Sequence, residues 1–152
     1  MSKSDDVYAI VPAAGHGKRM ESDVPKQYLK VDDELVIVRT LSRILSHPRV
    51  TKVVVPLSEE DDFFEKHVQP ISEKYVSVIG GVERCHSVLA GARYLRQFAH
   101  DESLVMVHDA ARPCVRCDDI AALVEKASQS KCGVVLGMPV RDTLKSCAND
   151  TT

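Results

Sequence analysis

The sequence predicts an α/β domain built on a doubly wound, mostly parallel sheet. Short, nearly continuous apolar runs recur along the chain, as strands buried on both faces require. Stretches with helical spacing stand between them, and that alternation implies a parallel sheet with right-handed crossovers. Three loop-like stretches follow the first, third and fourth strands, and ligands of such sheets bind outside the carboxyl ends of the strands.

Tyr8–Val11 reads as the first strand, ended by Pro12, which breaks strand pairing. Ile37, Leu41, Ile44 and Leu45 fall at helical spacing, and Pro48 closes that helix. The β-branched run Thr51–Val55 is the second strand. Ser58 is placed to cap a short acidic helix reaching His67, with Glu59, Glu60, Asp61 and Asp62 favourable at its N-terminus. Tyr75–Ile79 is the third strand. His86–Ala99 reads as an amphipathic helix with Val88, Ala92, Leu95 and Ala99 on one stripe. Leu104–His108 is the fourth strand. Asp118 or Asp119 caps a helix whose Ile120, Leu123, Val124 and Ala127 face inward, and Cys132–Met138 is the fifth strand. No repeat, low-complexity tract or linker divides the chain, so 1–152 is expected to be one domain.

Composition narrows the function classes. With 44% hydrophobic and 28% charged residues, the chain fits a soluble globular protein. A net charge of −2 gives no basic field for nucleic acid, and Trp is absent as a base-stacking platform. The start, MSKSDDVY, lacks the apolar core of a signal peptide, and the apolar run near Cys132–Val140 is too short to span a bilayer. A cytoplasmic protein without nucleic-acid or membrane partners is expected. The five cysteines, Cys85, Cys114, Cys117, Cys132 and Cys147, are odd in number and irregularly spaced, which argues against a disulfide framework. Cys114-x-x-Cys117 has no partner pair and so does not make a zinc motif.

The most informative stretch is Ile10–Leu29. Two alanines, Gly15 and Gly17 follow the first strand, then Lys18 and Arg19, then Lys26. Small residues allow close backbone approach, and successive N–H groups in such a loop form an anion-binding concavity. Added cations suit several phosphates rather than one carboxylate. The dinucleotide fingerprint fails because its third glycine is missing, and the P-loop spacing is absent. A Gly-x-Gly loop is also compatible with an ordinary turn.

PAAGHGKRM (12–20) followed by PKQYL (25–29), GGVERCHSV (80–88), VHDAARP (107–113) and PVRDTLK (139–145) together resemble the family of cytidylyltransferases acting on 2-C-methyl-D-erythritol 4-phosphate. The resemblance implies a Rossmann-like sheet of the nucleotide-diphospho-sugar transferase type. It also implies a reaction in which a sugar phosphate attacks the α-phosphorus of CTP and pyrophosphate leaves. A phosphate monoester is largely dianionic at neutral pH, so the obstacle is charge repulsion, and catalysis is expected from cations and positioning. The absence of a recognisable Ser/His/Asp or Cys/His constellation agrees.

By the same resemblance, Arg19 and Lys26 contact the triphosphate and stabilise charge at the α-phosphate, with Lys18 beside them. A solvated surface cation is the plainer role for each. Pro12, Ala13, Ala14, Gly15 and Gly17 supply backbone to the nucleotide, and a tight strand-to-helix connection is compatible with that. Gly81 and Ser87 lie near the cytosine, with Arg84 orienting their loop; Ser87 alternatively caps the helix near His86. Val82 stands where a polar residue is expected and has only backbone to offer. Asp109, with Ala110 and Arg112, lies toward the ribose and a metal ion, Mg²⁺ or another divalent cation; pairing with Arg112 is the plainer role for Asp109. Thr143 begins a protruding β-arm (139–152) that forms a homodimer and reaches the neighbour's sugar-phosphate site. Family members continue beyond the position of Thr152, so the chain is expected to be an N-terminal portion, binding CTP weakly and turning over poorly. A ribitol 5-phosphate cytidylyltransferase and a noncatalytic CTP-binding or dimerisation module remain alternatives.

Overall fold

Four parallel strands, in the spatial order Tyr75–Ile79, Val50–Leu57, Val7–Ile10 and Leu104–Val107, form the sheet that positions the candidate site. The structure, a computed structural model, describes residues 6–15, 24–68 and 72–143. The strands are β1 (Val7–Ile10), β4 (Val50–Leu57), β5 (Tyr75–Ile79) and β6 (Leu104–Val107). A small antiparallel pair, β2 (Lys30–Val31) and β3 (Glu34–Leu35), precedes helix α1 (Val36–Leu45). The other helices are α2 (Phe63–His67), α3 (Arg84–Leu95) and α4 (Cys117–Gln129), with a 3₁₀ turn at Lys26–Tyr28.

β1 is buried along its whole length because its alternate residues serve two layers. Val7, Ala9 and Val11 join the core made with Ile37, Leu41, Ile44, Ile120 and Val124 of α1 and α4. Tyr8 and Ile10 face the other way, with Val54 and Leu95. α3 approaches that face closely: a Cβ on Gly91 would lie 2.7 Å from Ile10 Cγ2. The chain runs outward from β1 to β4 and β5, then returns to place β6 on the other side of β1. The strand order therefore reverses between β1 and β6, and a crevice opens there.

Several expectations are corrected. Cys132–Met138 is not a strand; 133–141 has no regular structure, and Val135 and Met138 are 91% and 79% exposed. An apolar run needs a ladder partner as well as apolar side chains, and none of the described residues supplies one. The helix expected from Ser58 begins at Phe63 instead, and Asp61 caps it by accepting from the N–H groups of Phe63 and Phe64, both at 3.0 Å. Asp118 and Asp119 lie within the first turn of α4, whose N-cap is Arg116. α3 ends at Leu95, and its most buried residues are Ser87, Gly91 and Leu95, flanked by the partly buried Val88 and Ala92. Pro12 does not end pairing with β4, since the Ala13 N–H still donates to Pro56 O at 2.8 Å. Successive residues direct their N–H groups to opposite sides, so the donor that Pro12 lacks is not needed on the β4 side. The β2–β3 pair was not expected; its two-residue loop, Asp32–Asp33, has φ of 52° and 64°, as a type I′ hairpin turn requires.

Candidate functional site

A cavity of about 350 Å³ opens at the carboxyl ends of β1, β5 and β6. Its walls come from the three stretches that the topology was expected to gather. Pro12, Ala13, Ala14 and Gly15 line it from the end of β1. Gly81, Val82, Glu83, Arg84 and Ser87 line it from the loop into α3, and Asp109 to Arg112 line it from the loop after β6. Lys26 and Gln27 close it from the 3₁₀ turn. Gly17, Lys18 and Arg19 lie outside the described residues. Thr143 lies away from these walls, on an exposed segment.

The first wall is held by a residue that the sequence reading did not single out. Gln27 is buried, and its Nε2 donates to Ala13 O at 2.8 Å and to Gly15 O at 3.4 Å. One amide thus links the 3₁₀ turn that carries Lys26 to the backbone after β1. The turn is anchored next door: Tyr28 is buried, stacks on Phe63, and donates to Asp61 Oδ2 at 2.6 Å. Burial, then the Asp61 hydrogen bond and charge, push the Tyr28 phenol well above its ordinary value. The signal available in the sequence was an amide directly before an aromatic residue and directly after Pro-Lys.

The second wall is fixed by Ser87. It is the fourth residue of α3 rather than its cap, and the N-cap Glu83 makes no side-chain capping bond. Ser87 Oγ accepts from the Gly81 N–H at 3.1 Å and donates to Gly81 O at 3.2 Å. Gly81 has no room for a side chain, since a Cβ there would lie 2.4 Å from His86 Cβ. The Val82 side chain is fully exposed, leaving backbone as its polar contribution.

The third wall centres on Asp109. Oδ1 accepts from Arg84 Nε at 2.9 Å and lies 2.8 Å from Arg84 Nη2, while Oδ2 lies 2.9 Å from Arg112 Nε. Desolvation pushes this carboxyl up, but Arg84's hydrogen bond and charge, with the charges of Arg112 and His108, outweigh it and hold the group below its ordinary value. Asp109 thus pairs with Arg112 as the plainer reading held, and with Arg84 as well. Thr40 Oγ1 donates to Val36 O and to Ala110 O, each at 2.9 Å, tying this loop to α1. His108 takes a local role, with Nε2 3.0 Å from Arg112 O.

The expected Mg²⁺ finds no cage among the described residues. Mg²⁺ prefers hard oxygen ligands in octahedral array. The cavity's two acids are Asp109, both of whose oxygens are committed to guanidinium groups, and Glu83, which stands in an exposed cluster with Cys85 and His86.

The chain matches the family model described as IspD: 2-C-methyl-D-erythritol 4-phosphate cytidylyltransferase, over residues 7–152. A 2-C-methyl-D-erythritol 4-phosphate cytidylyltransferase of Vibrio vulnificus is 46% identical over 137 residues, covering 90% of this chain and 58% of its own length. The chain belongs to this family. The IspD relative of Shewanella amazonensis is 44% identical over 149 residues, covering 98% of this chain and 62% of its own length. A crystal structure of 4-diphosphocytidyl-2C-methyl-D-erythritol synthase superposes with a TM-score of 0.78 at 30% identity, over 93% of this chain and 63% of that one. The chain thus spans about three fifths of the length of the IspD relatives it matches. The likeness confirms the α/β sheet expected from the sequence. Among the described residues, no helix is long and apolar enough to cross a membrane.

Proposed function

We propose that this chain carries the CTP-holding part of a 2-C-methyl-D-erythritol 4-phosphate cytidylyltransferase of isoprenoid biosynthesis. The observation that supports it best is the convergence of the backbone 12–15, Lys26, the Gly81–Ser87 loop and Asp109 on one cavity at the sheet's switch point. In this reading the backbone of Ala13 to Gly15 lies along the nucleotide, and Lys26, on the turn that Gln27 ties to that backbone, meets the triphosphate. The loop pinned by Ser87 offers backbone groups to the base. Asp109, with its arginines, lies toward the ribose and phosphates.

The reaction needs no base of its own. An oxygen of the incoming phosphate attacks the α-phosphorus, the bond to the β-phosphate bridging oxygen breaks, and pyrophosphate departs with that electron pair. Lys26 and Arg19 offset the negative charge that accumulates in the transition state; removing one such contact costs on the order of 10²–10³ in rate. Mg²⁺ or another divalent cation, if bound with the nucleotide, would supply positive charge against its phosphates. A cytoplasmic homodimer, in which Thr143 and the 139–152 segment contribute to the partner's sugar-phosphate site, completes the proposal; residues 144–152 lie outside the described residues.

Calorimetric titration with CTP and UTP, with and without Mg²⁺, tests the binding reading. CTP is expected to bind more tightly than UTP, and Lys26→Ala is expected to weaken CTP binding and slow any pyrophosphate release. CTP binding unchanged in Lys26→Ala would refute this assignment. A panel of methylerythritol and ribitol phosphates separates the two substrate readings, and sedimentation checks the dimer.

A further inference from the structure

We propose that Glu83, Cys85 and His86 form a binding site for a thiophilic divalent cation of the zinc class, at the rim of the cavity. A Glu83 carboxylate oxygen, Cys85 Sγ and a His86 ring nitrogen all lie within 4.8 Å of one another. Cys85 Sγ already contacts Glu83 Oε2 at 3.5 Å. Thiolate, imidazole and carboxylate are the three side-chain ligand types that zinc takes. The sulfur sets the selectivity, because soft ligands favour zinc-like ions and Mg²⁺ does not use them. All three residues are exposed, so three protein ligands leave the fourth position of a tetrahedron open to water.

The framework beneath these ligands is already ordered. Ser87 holds Gly81 through two hydrogen bonds, and the Ser87 N–H donates to Glu83 O at 3.1 Å. Arg84, between the ligands in sequence, has its guanidinium engaged by Asp109. Binding therefore orders three side chains and little backbone. Among the described residues, no other such group of three candidate ligands occurs, and Cys114, Cys117 and Cys132 belong to none. The site does not depend on the nucleotide reading, since its ligands and its test involve neither CTP nor catalysis.

Titration of the reduced chain with Co²⁺ in Mg²⁺-containing buffer tests it. Saturation at one equivalent is expected, with a near-ultraviolet sulfur-to-cobalt band, visible bands of four-coordinate cobalt, and displacement of both by Zn²⁺. Cys85→Ser abolishes the sulfur band, and His86→Gln weakens binding by roughly tenfold or more, at least the loss seen when a supporting group is removed. Zn²⁺ is also expected to protect Cys85 of the unaltered chain from iodoacetamide, read by peptide mass mapping, which holds even if a variant folds poorly. A sulfur band that persists in Cys85→Ser, affinity unchanged in His86→Gln, or Cys85 alkylated equally fast with Zn²⁺ present would each overturn the proposal.

Discussion

Gln27 holds together two pieces of backbone that the sequence separates. Its Nε2 satisfies Ala13 O and reaches Gly15 O from a buried position. Gln27→Leu keeps the bulk but removes the donor, leaving a buried carbonyl without its partner. A loss of about 1–3 kcal/mol in urea denaturation is expected, together with weaker CTP binding. Asp109 gives a prediction in pH. Its carboxyl is held below its ordinary value of 3.8, so its contribution to stability is complete above that value. It is lost as pH falls through the lower, folded-state value. In acid titrations followed by circular dichroism, Asp109→Asn is expected to lose part of the stability decline seen below about pH 4. Gly15 and Lys26, which line the cavity, were singled out in the sequence because a small residue and a cation carry chemistry in their residue types. Gln27 and Thr40 were not, because an amide or a hydroxyl becomes informative only when its partner, distant in sequence, is known.

At the level of elements, strands were easier to read than helix starts. Tyr75–Ile79 stands where the sequence placed it, since a β-branched and aromatic run between turn residues has few other uses. The start of α2 was misplaced because several consecutive side chains are able to cap, and only tertiary contact selects among them. Asp61 is selected because Tyr28 holds its other oxygen. Asp61→Ala therefore removes a cap and strands a buried phenol together. It should cost more than the roughly 1 kcal/mol of an ordinary N-cap, measured by thermal unfolding, and Tyr28→Phe should recover part of the difference in the double variant. The β2–β3 turn escaped notice because Asp-Asp is a weaker turn signal than Asn-Gly, and Arg39 supports it through Glu34 at 2.8 Å and Val31 O at 3.1 Å.

At the scale of the whole molecule, the sheet ends on two edge strands, β5 and β6, each paired on one side among the described residues. β6 pairs with β1 on one side, and its other side meets no strand among the described residues. Val105 and Val107 are exposed there, as are Val135, Leu136, Met138 and Val140 farther along. Apolar surface and an open edge favour association. Light scattering is expected to show concentration-dependent growth of the 152-residue chain, reduced in Val135→Lys/Val140→Lys. The misreading of 132–138 has the same origin: apolar composition records that a segment is to be covered, and leaves open what covers it. The sheet's topology also sets a schedule. Val7, near the start, pairs with Leu104, so one shore of the crevice is built long after the other. During synthesis, a ribosome-arrested nascent chain released only as far as β5 would offer a tethered nucleotide analogue half a grip, and retention should begin abruptly once the residues through Arg112 have emerged.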